Sequence, residues 1–195
     1  MNATEVKDIL EKTGALMTGH FKLSSGRHSD TYVQKQRVLE HPRWTMAIGD
    51  ELAHRYGAKP GEPAPFNVVV APALGAITLG FAVAHAASTR FLFTERADGA
   101  MVLRRGQLLG RSDVAVVVED VITTGGSARE VIDVAEAAGA RVLGVAAIVD
   151  RANTPPRFHL EALLRVAARD WEPERCPLCA AGDPLESPGS RFTGT

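Results

Sequence analysis

The sequence is poor in cysteine and in rings. Its 195 residues include two cysteines, two tryptophans, two tyrosines and 6% aromatics in all. Cys176-Pro-Leu-Cys179 cannot frame a disulfide-stapled fold, so the core must be aliphatic and the thiols are expected reduced. There is no run of roughly eighteen apolar residues, which excludes a membrane-crossing helix. The opening residues, MNATEVKDILEKTGAL, mix acids and bases and read as an amphipathic helix rather than a leader, so a cytoplasmic location is expected. A formal net charge of −1 gives no long-range attraction for nucleic acid or anionic lipid. No lysine lies beyond Lys59, so later positive charge is carried by arginine. Neither GxxxxGK[ST] nor GxGxxG occurs, which excludes the two commonest nucleotide cradles. His20, His28, His41, His54, His85 and His159 form no i, i+4 pair and share no motif. There is no internal repeat.

Apolar residues make up 45% of the chain, enough for a sizeable core. Val6, Ile9, Leu10 and Leu16 fall near helical spacing and predict a first helix over 4–17. Residues 20–38 predict a short extended or hairpin segment around Tyr32-Val33. Pro42 opens a second helix to about Tyr56, with Gly57 past its end. After a linker rich in proline and glycine, the apolar runs Val68–Ala71, Phe91–Phe93, Val114–Val118 and Val142–Val149 predict strands. Helices over 75–87 and 127–138 lie between them. Continuous apolar strands alternating with helices predict an α/β fold: a mostly parallel central sheet flanked by helices. We expect one domain over 1–172, with an N-terminal hood of about 1–40 and a core of about 41–155. An irregular tail over 173–195 follows. The segment Glu95–Asp113 is polar, arginine-bearing and glycine-punctuated, and reads as a long mobile lid.

The sharpest feature is the string Val116-Val117-Val118-Glu119-Asp120-Val121-Ile122-Thr123-Thr124-Gly125-Gly126-Ser127. A buried strand delivers two acids, then a Thr/Gly turn, then a helix. In an open parallel sheet this turn sits at the ligand crevice, and its N–H groups with the helix N-terminus favour a phosphate. Two adjacent carboxylates beside a phosphate nest need hydroxyls or a metal as partners. A ribose 5-phosphate meets that need, with its diol on Glu119 and Asp120. An ordinary helix cap preceded by acids is the bland alternative.

This string resembles the signature of type I phosphoribosyltransferases, which bind phosphoribosyl pyrophosphate (PRPP). Three further stretches narrow the resemblance to the orotate phosphoribosyltransferase family. Gly19-His20-Phe21-Lys22-Leu23-Ser24-Ser25-Gly26-Arg27-His28-Ser29-Asp30-Thr31-Tyr32 is similar to the family's F-x-L-x-S-G segment over the pyrimidine. The resemblance implies that Ser25, Gly26, Tyr32 and Thr123 contact orotate. Val70-Ala71-Pro72-Ala73-Leu74-Gly75 resembles the loop that cradles pyrophosphate, which implies PRPP contacts from Ala73, Leu74 and Gly75 beside Glu119 to Ser127. Arg151, after Asp150, stands where the family pairs an arginine with the orotate carboxylate, and a planar guanidinium suits that task.

The resemblance further implies Mg²⁺ carried on PRPP, and a homodimer whose lid reaches into the neighbouring site. It implies catalytic roles for Asp120 and for Arg96, Arg104 and Arg105, which would neutralise pyrophosphate. The lid departs from the family's common pattern: it has no lysine or histidine, and Ala100 stands where related loops carry lysine. Ser24 stands where many members have lysine. A phosphoribosyltransferase for another base, or a catalytically weak PRPP-binding paralogue, would keep the central signature. Cys176 and Cys179 are half of a zinc site, to be completed by partner-chain cysteines or a histidine such as His159; inert thiols are the plainer reading.

Overall fold

A computed structural model describes residues 1–23 and 25–188. Ser24 and the last seven expected tail positions, 189–195, lie outside the described residues. The first helix, α1 (Ala3–Lys12), is capped by Asn2 and Glu5 in a reciprocal capping box. It ends earlier than the expected 4–17, because Gly14 takes a left-handed conformation (φ +69°) and Leu16 already begins a strand. β1 (Leu16–Lys22) and β2 (His28–Val33) form an antiparallel hairpin. A short α2 (Gln36–Leu39) leads to α3 (Pro42–Arg55).

The core then alternates strand and helix. β3 (Val68–Pro72) is followed by α4 (Ile77–Ala87) and β4 (Arg90–Ala97), then by β5 (Ala100–Leu103). β6 (Val114–Ile122), α5 (Gly126–Ala137) and β7 (Arg141–Asp150) come next, and β8 (Leu160–Arg165) completes the sheet. Its order is β5-β4-β3-β6-β7-β8, all parallel except for β5. Alternate residues of each central strand enter opposite cores: Val69, Val116 and Ala146 pack on the α3–α4 side, while Val68, Val117 and Val145 pack on the α5 side. Burial on both faces is why these strands read as unbroken apolar runs. β9 (Asp170–Trp171) returns to pair with β2, and a 3₁₀ turn (Pro173–Arg175) and α6 (Pro177–Ala180) follow.

Three expectations are corrected. The lid is ordered over its first half: β4 runs on to Ala97 and pairs with β5, because Glu95, Arg96 and Ala97 meet Val102, Met101 and Ala100 across a two-residue turn. β8 was hidden because Leu-Glu-Ala-Leu-Leu-Arg has helical propensity, which pairing with β7 overrides. The tail is more regular than expected, since β9, the 3₁₀ turn and α6 lie in it or border it, and Glu186 bridges to Phe21.

Candidate active site

The strand order reverses between β3 and β6: β3 leads through α4 to β4 on one side, and β6 leads through α5 to β7 on the other. In such sheets the crevice lies at the carboxyl ends of the two strands that flank the reversal. The ends of β6 and β7 meet the β1–β2 hairpin there, around a cleft of about 1340 Å³. Among its lining residues are Ser25, Tyr32, Lys35, Asp120, Val121, Thr123, Thr124 and Arg151.

At the end of β6 the chain turns through Thr123 and Thr124 into α5. Gly125 occupies the cap position with φ +75°, a conformation that costs a side-chain-bearing residue. A Cβ there would also stand 3.0 Å from the ring of Phe158. A glycine cap supplies no side-chain acceptor to the first N–H groups of α5, and Gly126 and Ser127 are exposed. The helix therefore opens as a donor-rich end suited to an anion. Gly126 N–H approaches Thr124 Oγ1 at 3.4 Å, so that hydroxyl leans over the turn. Ile122 is fully packed in the core, and what it can offer a ligand is backbone; its carbonyl already accepts the Arg151 N–H at 2.9 Å.

The two acids part company. Neighbours on a strand point to opposite faces, and Asp120 is the one that lines the cleft. Asp120 is buried at the cleft wall, where it is ion-paired to Lys35. Its Oδ1 accepts the Val121 N–H at 2.7 Å, and its Oδ2 faces the Lys35 ammonium. Glu119 does not line the cleft; its Oε1 accepts the Asp120 N–H at 3.0 Å. Burial first, and the neighbouring Asp120 charge second, push the Glu119 carboxyl up from 4.5 to about 8.

Gly75 explains itself here by space. A Cβ at Gly75 would stand 2.5 Å from Lys35 Nζ and 2.7 Å from Asp120 Oδ2, so only glycine lets the ion pair close against this loop. Ala73 and Leu74, joined by a cis peptide, lie just before it; Ala73 N–H donates to the Thr94 carbonyl at 2.7 Å, and Leu74 is 84% exposed. None of the three is among the cleft-lining residues.

Arg151, immediately after β7, lies half-buried on the cleft wall with Nη2 3.3 Å from Ser29 Oγ. Desolvation lowers its pKa, against the opposing pull of Asp170, Asp30 and Tyr32. Tyr32 is backed by the buried Phe21 ring, 5.7 Å away between centroids. Gly26 (φ +85°) turns the hairpin, its N–H donating to the Leu23 carbonyl at 2.9 Å, and does not itself face the cleft.

The lid arginines are elsewhere. Arg96 pairs with Glu130 of α5, and Arg104 and Arg105 both pair with Glu95. None lines this chain's cleft. Conversely, Lys35 was missed in the sequence, where it follows the hairpin with no motif around it; only the fold brings it to Asp120. The zinc half-site Cys176–Cys179 is outside the cleft, and His159 is not with it: that ring packs against Tyr56, 5.7 Å between centroids.

A switch-point crevice with a phosphate-type turn is shared by several transferases, and sequence relatives decide among them. No family model matches the chain. An orotate phosphoribosyltransferase of Desulforamulus reducens is 45% identical over 98% of this chain and 98% of its own length. The chain belongs to the orotate phosphoribosyltransferase family. A second member, from Heliobacterium modesticaldum, is 47% identical over 98% of this chain and all of its own. Among solved structures, the orotate phosphoribosyltransferase of Mycobacterium tuberculosis superposes with a TM-score of 0.66 at 26% identity, covering 84% of this chain and 97% of that one. The Aeropyrum pernix enzyme gives 0.67 at 24% identity over 83% and 93%, a likeness of fold. The α/β fold with a mostly parallel sheet is thus the family's fold.

Proposed function

We propose that this chain transfers the 5-phosphoribosyl group of Mg-PRPP to N1 of orotate, releasing pyrophosphate and giving orotidine 5′-phosphate. One observation carries the reading in this chain: a half-buried arginine, Arg151, shares a cleft wall with the Thr123–Thr124 turn. A phosphate reader and a carboxylate reader on one cavity fit a sugar phosphate meeting an acidic, planar base. Tyr32 gives that base a flat surface, and Ser25 and the Thr123 hydroxyl border it.

The 5-phosphate is assigned to the N–H groups of Thr123, Thr124, Gly125, Gly126 and Ser127, the diol to Asp120 with Glu119 behind it, and the pyrophosphate to the Ala73–Gly75 loop. Magnesium arrives as part of the substrate; carboxylate and phosphate oxygens are its natural ligands, and no protein ligand is assigned. As the C1–O bond breaks, its electron pair leaves with pyrophosphate, the N1 lone pair closes on C1, and the N1 proton passes to the departing pyrophosphate or to water. Positive charge on the ribose ring is then stabilised by the fixed Asp120 carboxylate, and the chain acts by alignment and fixed charge.

Lid arginines complete this arrangement only if they come from closure or from a second copy. A homodimer is supported by exposed apolar groups beside the site: Leu74, and Phe81, which is 57% exposed and sits edge-on to Phe91. A cytoplasmic location fits the reduced thiols and the lack, among the described residues, of a helix able to cross a membrane.

The test is to mix protein and Mg-PRPP with orotate, uracil, adenine or hypoxanthine and follow loss of base. Turnover with orotate alone is expected. Turnover of a different base would reassign the acceptor, and PRPP uptake without turnover of any base would mark a binding paralogue.

A further inference from the structure

Outside the cleft, four side chains converge that nothing in phosphoribosyl transfer uses. His20, His28 and Cys176 are buried, at 4%, 5% and 3% exposure, and Cys179 stands exposed at the edge of the group. Their ligand atoms all lie within 4.8 Å of one another. We propose that His20 Nε2, His28 Nδ1, Cys176 Sγ and Cys179 Sγ hold a structural Zn²⁺ that fastens the tail to the hood.

The geometry carries the proposal. His20 Nε2 is 3.0 Å from His28 Nδ1, 3.4 Å from Cys176 Sγ and 3.6 Å from Cys179 Sγ, and Cys179 Sγ is 3.2 Å from His28 Nδ1. Zinc bonds of about 2.0–2.1 Å to nitrogen and about 2.3 Å to sulfur set tetrahedral edges of roughly 3.3–3.8 Å, close to this spacing. His20 Nδ1 is 2.9 Å from the Asp183 carbonyl, which can only accept, so Nδ1 carries the proton. That leaves the Nε2 lone pair facing inward, and the carbonyl is the outer partner that zinc-bound imidazoles commonly have. Three groups crowd this one lone pair. A single proton between two of them cannot serve all four, whereas a cation at the centre does.

The fold builds the site deliberately. Lys22 pairs with His28 across the hairpin, and His20 lies two residues before Lys22 on the facing strand. The β1–β2 register slips between Thr18 and Phe21, the kind of irregularity that re-aims a side chain. Cys176 caps α6, and one turn on, Cys179 returns to the same side. Backbone bonds flank the cluster: Lys22 N–H to the Glu186 carbonyl, and Glu186 N–H to that of His20, both 2.8 Å. The hairpin so fastened is the one that carries Tyr32 to the cleft. Two histidines with two cysteines form a closed donor set with no open position, so the role is structural.

Elemental analysis of the full chain, prepared without metal-affinity resin from zinc-supplemented medium, tests the site. About one zinc per chain is expected, with two sulfur and two nitrogen neighbours by X-ray absorption. Cobalt(II) added to stripped protein should give a tetrahedral thiolate spectrum. Cys179→Ser, at the exposed position, and His28→Asn should each weaken zinc affinity by more than the roughly 10–100-fold that loss of an outer partner costs, and lower Tm. His159→Asn should leave zinc content unchanged. The proposal is overturned if folded wild-type protein holds no zinc, whether its thiols titrate free or as a disulfide, or if the Cys179→Ser and His28→Asn double variant keeps its metal.

Discussion

At the scale of single residues, Arg151 and Glu119 carry opposite lessons. Arg151 was legible in the sequence through its resemblance to the family's carboxylate-pairing arginine, and it does reach the cleft wall. A charged hydrogen bond is worth about 1.5–3 kcal/mol, so Arg151→Ala should lower kcat/KM for orotate roughly 10- to 150-fold. PRPP affinity should hold, as calorimetry on the same variant would establish. Glu119 was legible as an acid but not as a buried one, because strand parity that turns Asp120 to the cleft turns its neighbour away. With its pKa raised from 4.5 to about 8, the folded chain keeps a proton that the unfolded chain releases. The favourable balance present below pH 4.5 is therefore lost as pH climbs towards 8. Glu119→Gln is neutral throughout, so its Tm advantage over wild type should widen across that window in thermal scans. A constant offset would contradict the assignment.

At the scale of elements, the helices that position the site do so by close approach. A Cβ at Gly80 of α4 would stand 2.6 Å from the Phe91 ring and 2.9 Å from Ala71 Cβ. Gly80→Ala therefore overpacks the α4–sheet contact by about 1–3 kcal/mol, or roughly 2–12 °C in Tm by calorimetry. The small-residue run over 75–87 announced this helix in the sequence, and the apolar runs announced β3, β4, β6 and β7. What stayed hidden was pairing that leaves little local signal. β5 lies in a polar, arginine-bearing stretch, β8 has helical composition, and β9 is two residues long. The histidine half of the proposed zinc site was hidden for a related reason. Its histidines are eight residues apart on a hairpin, and the first of them stands 156 residues before Cys176, a spacing no linear motif encodes.

At the scale of the whole molecule, the lid arginines have no work within one chain's cleft. Arg104 and Arg105 sit 59% and 67% exposed on Glu95. If they serve the leaving pyrophosphate, Arg104→Ala should cost about 10²–10³ in kcat while changing PRPP affinity much less, as loss of an oxyanion donor does. If they serve it in the neighbouring subunit, mixing the impaired Arg104→Ala and Arg151→Ala chains should restore up to about a quarter of wild-type activity through hybrid dimers with one intact site. No recovery after subunit exchange would confine the lid to its own chain. The parallel sheet, and a crevice at the carboxyl ends of its strands, followed from alternating strands and helices; the strand order and the relation between subunits are not written in any local pattern.

The catalytic outcomes depend on a phosphate-gripping turn at the end of β6. Calorimetric titration of the wild-type chain with Mg-PRPP probes it directly. One mole bound per mole of chain is the predicted result. The absence of any Mg-PRPP uptake by folded protein would contradict the account at its root.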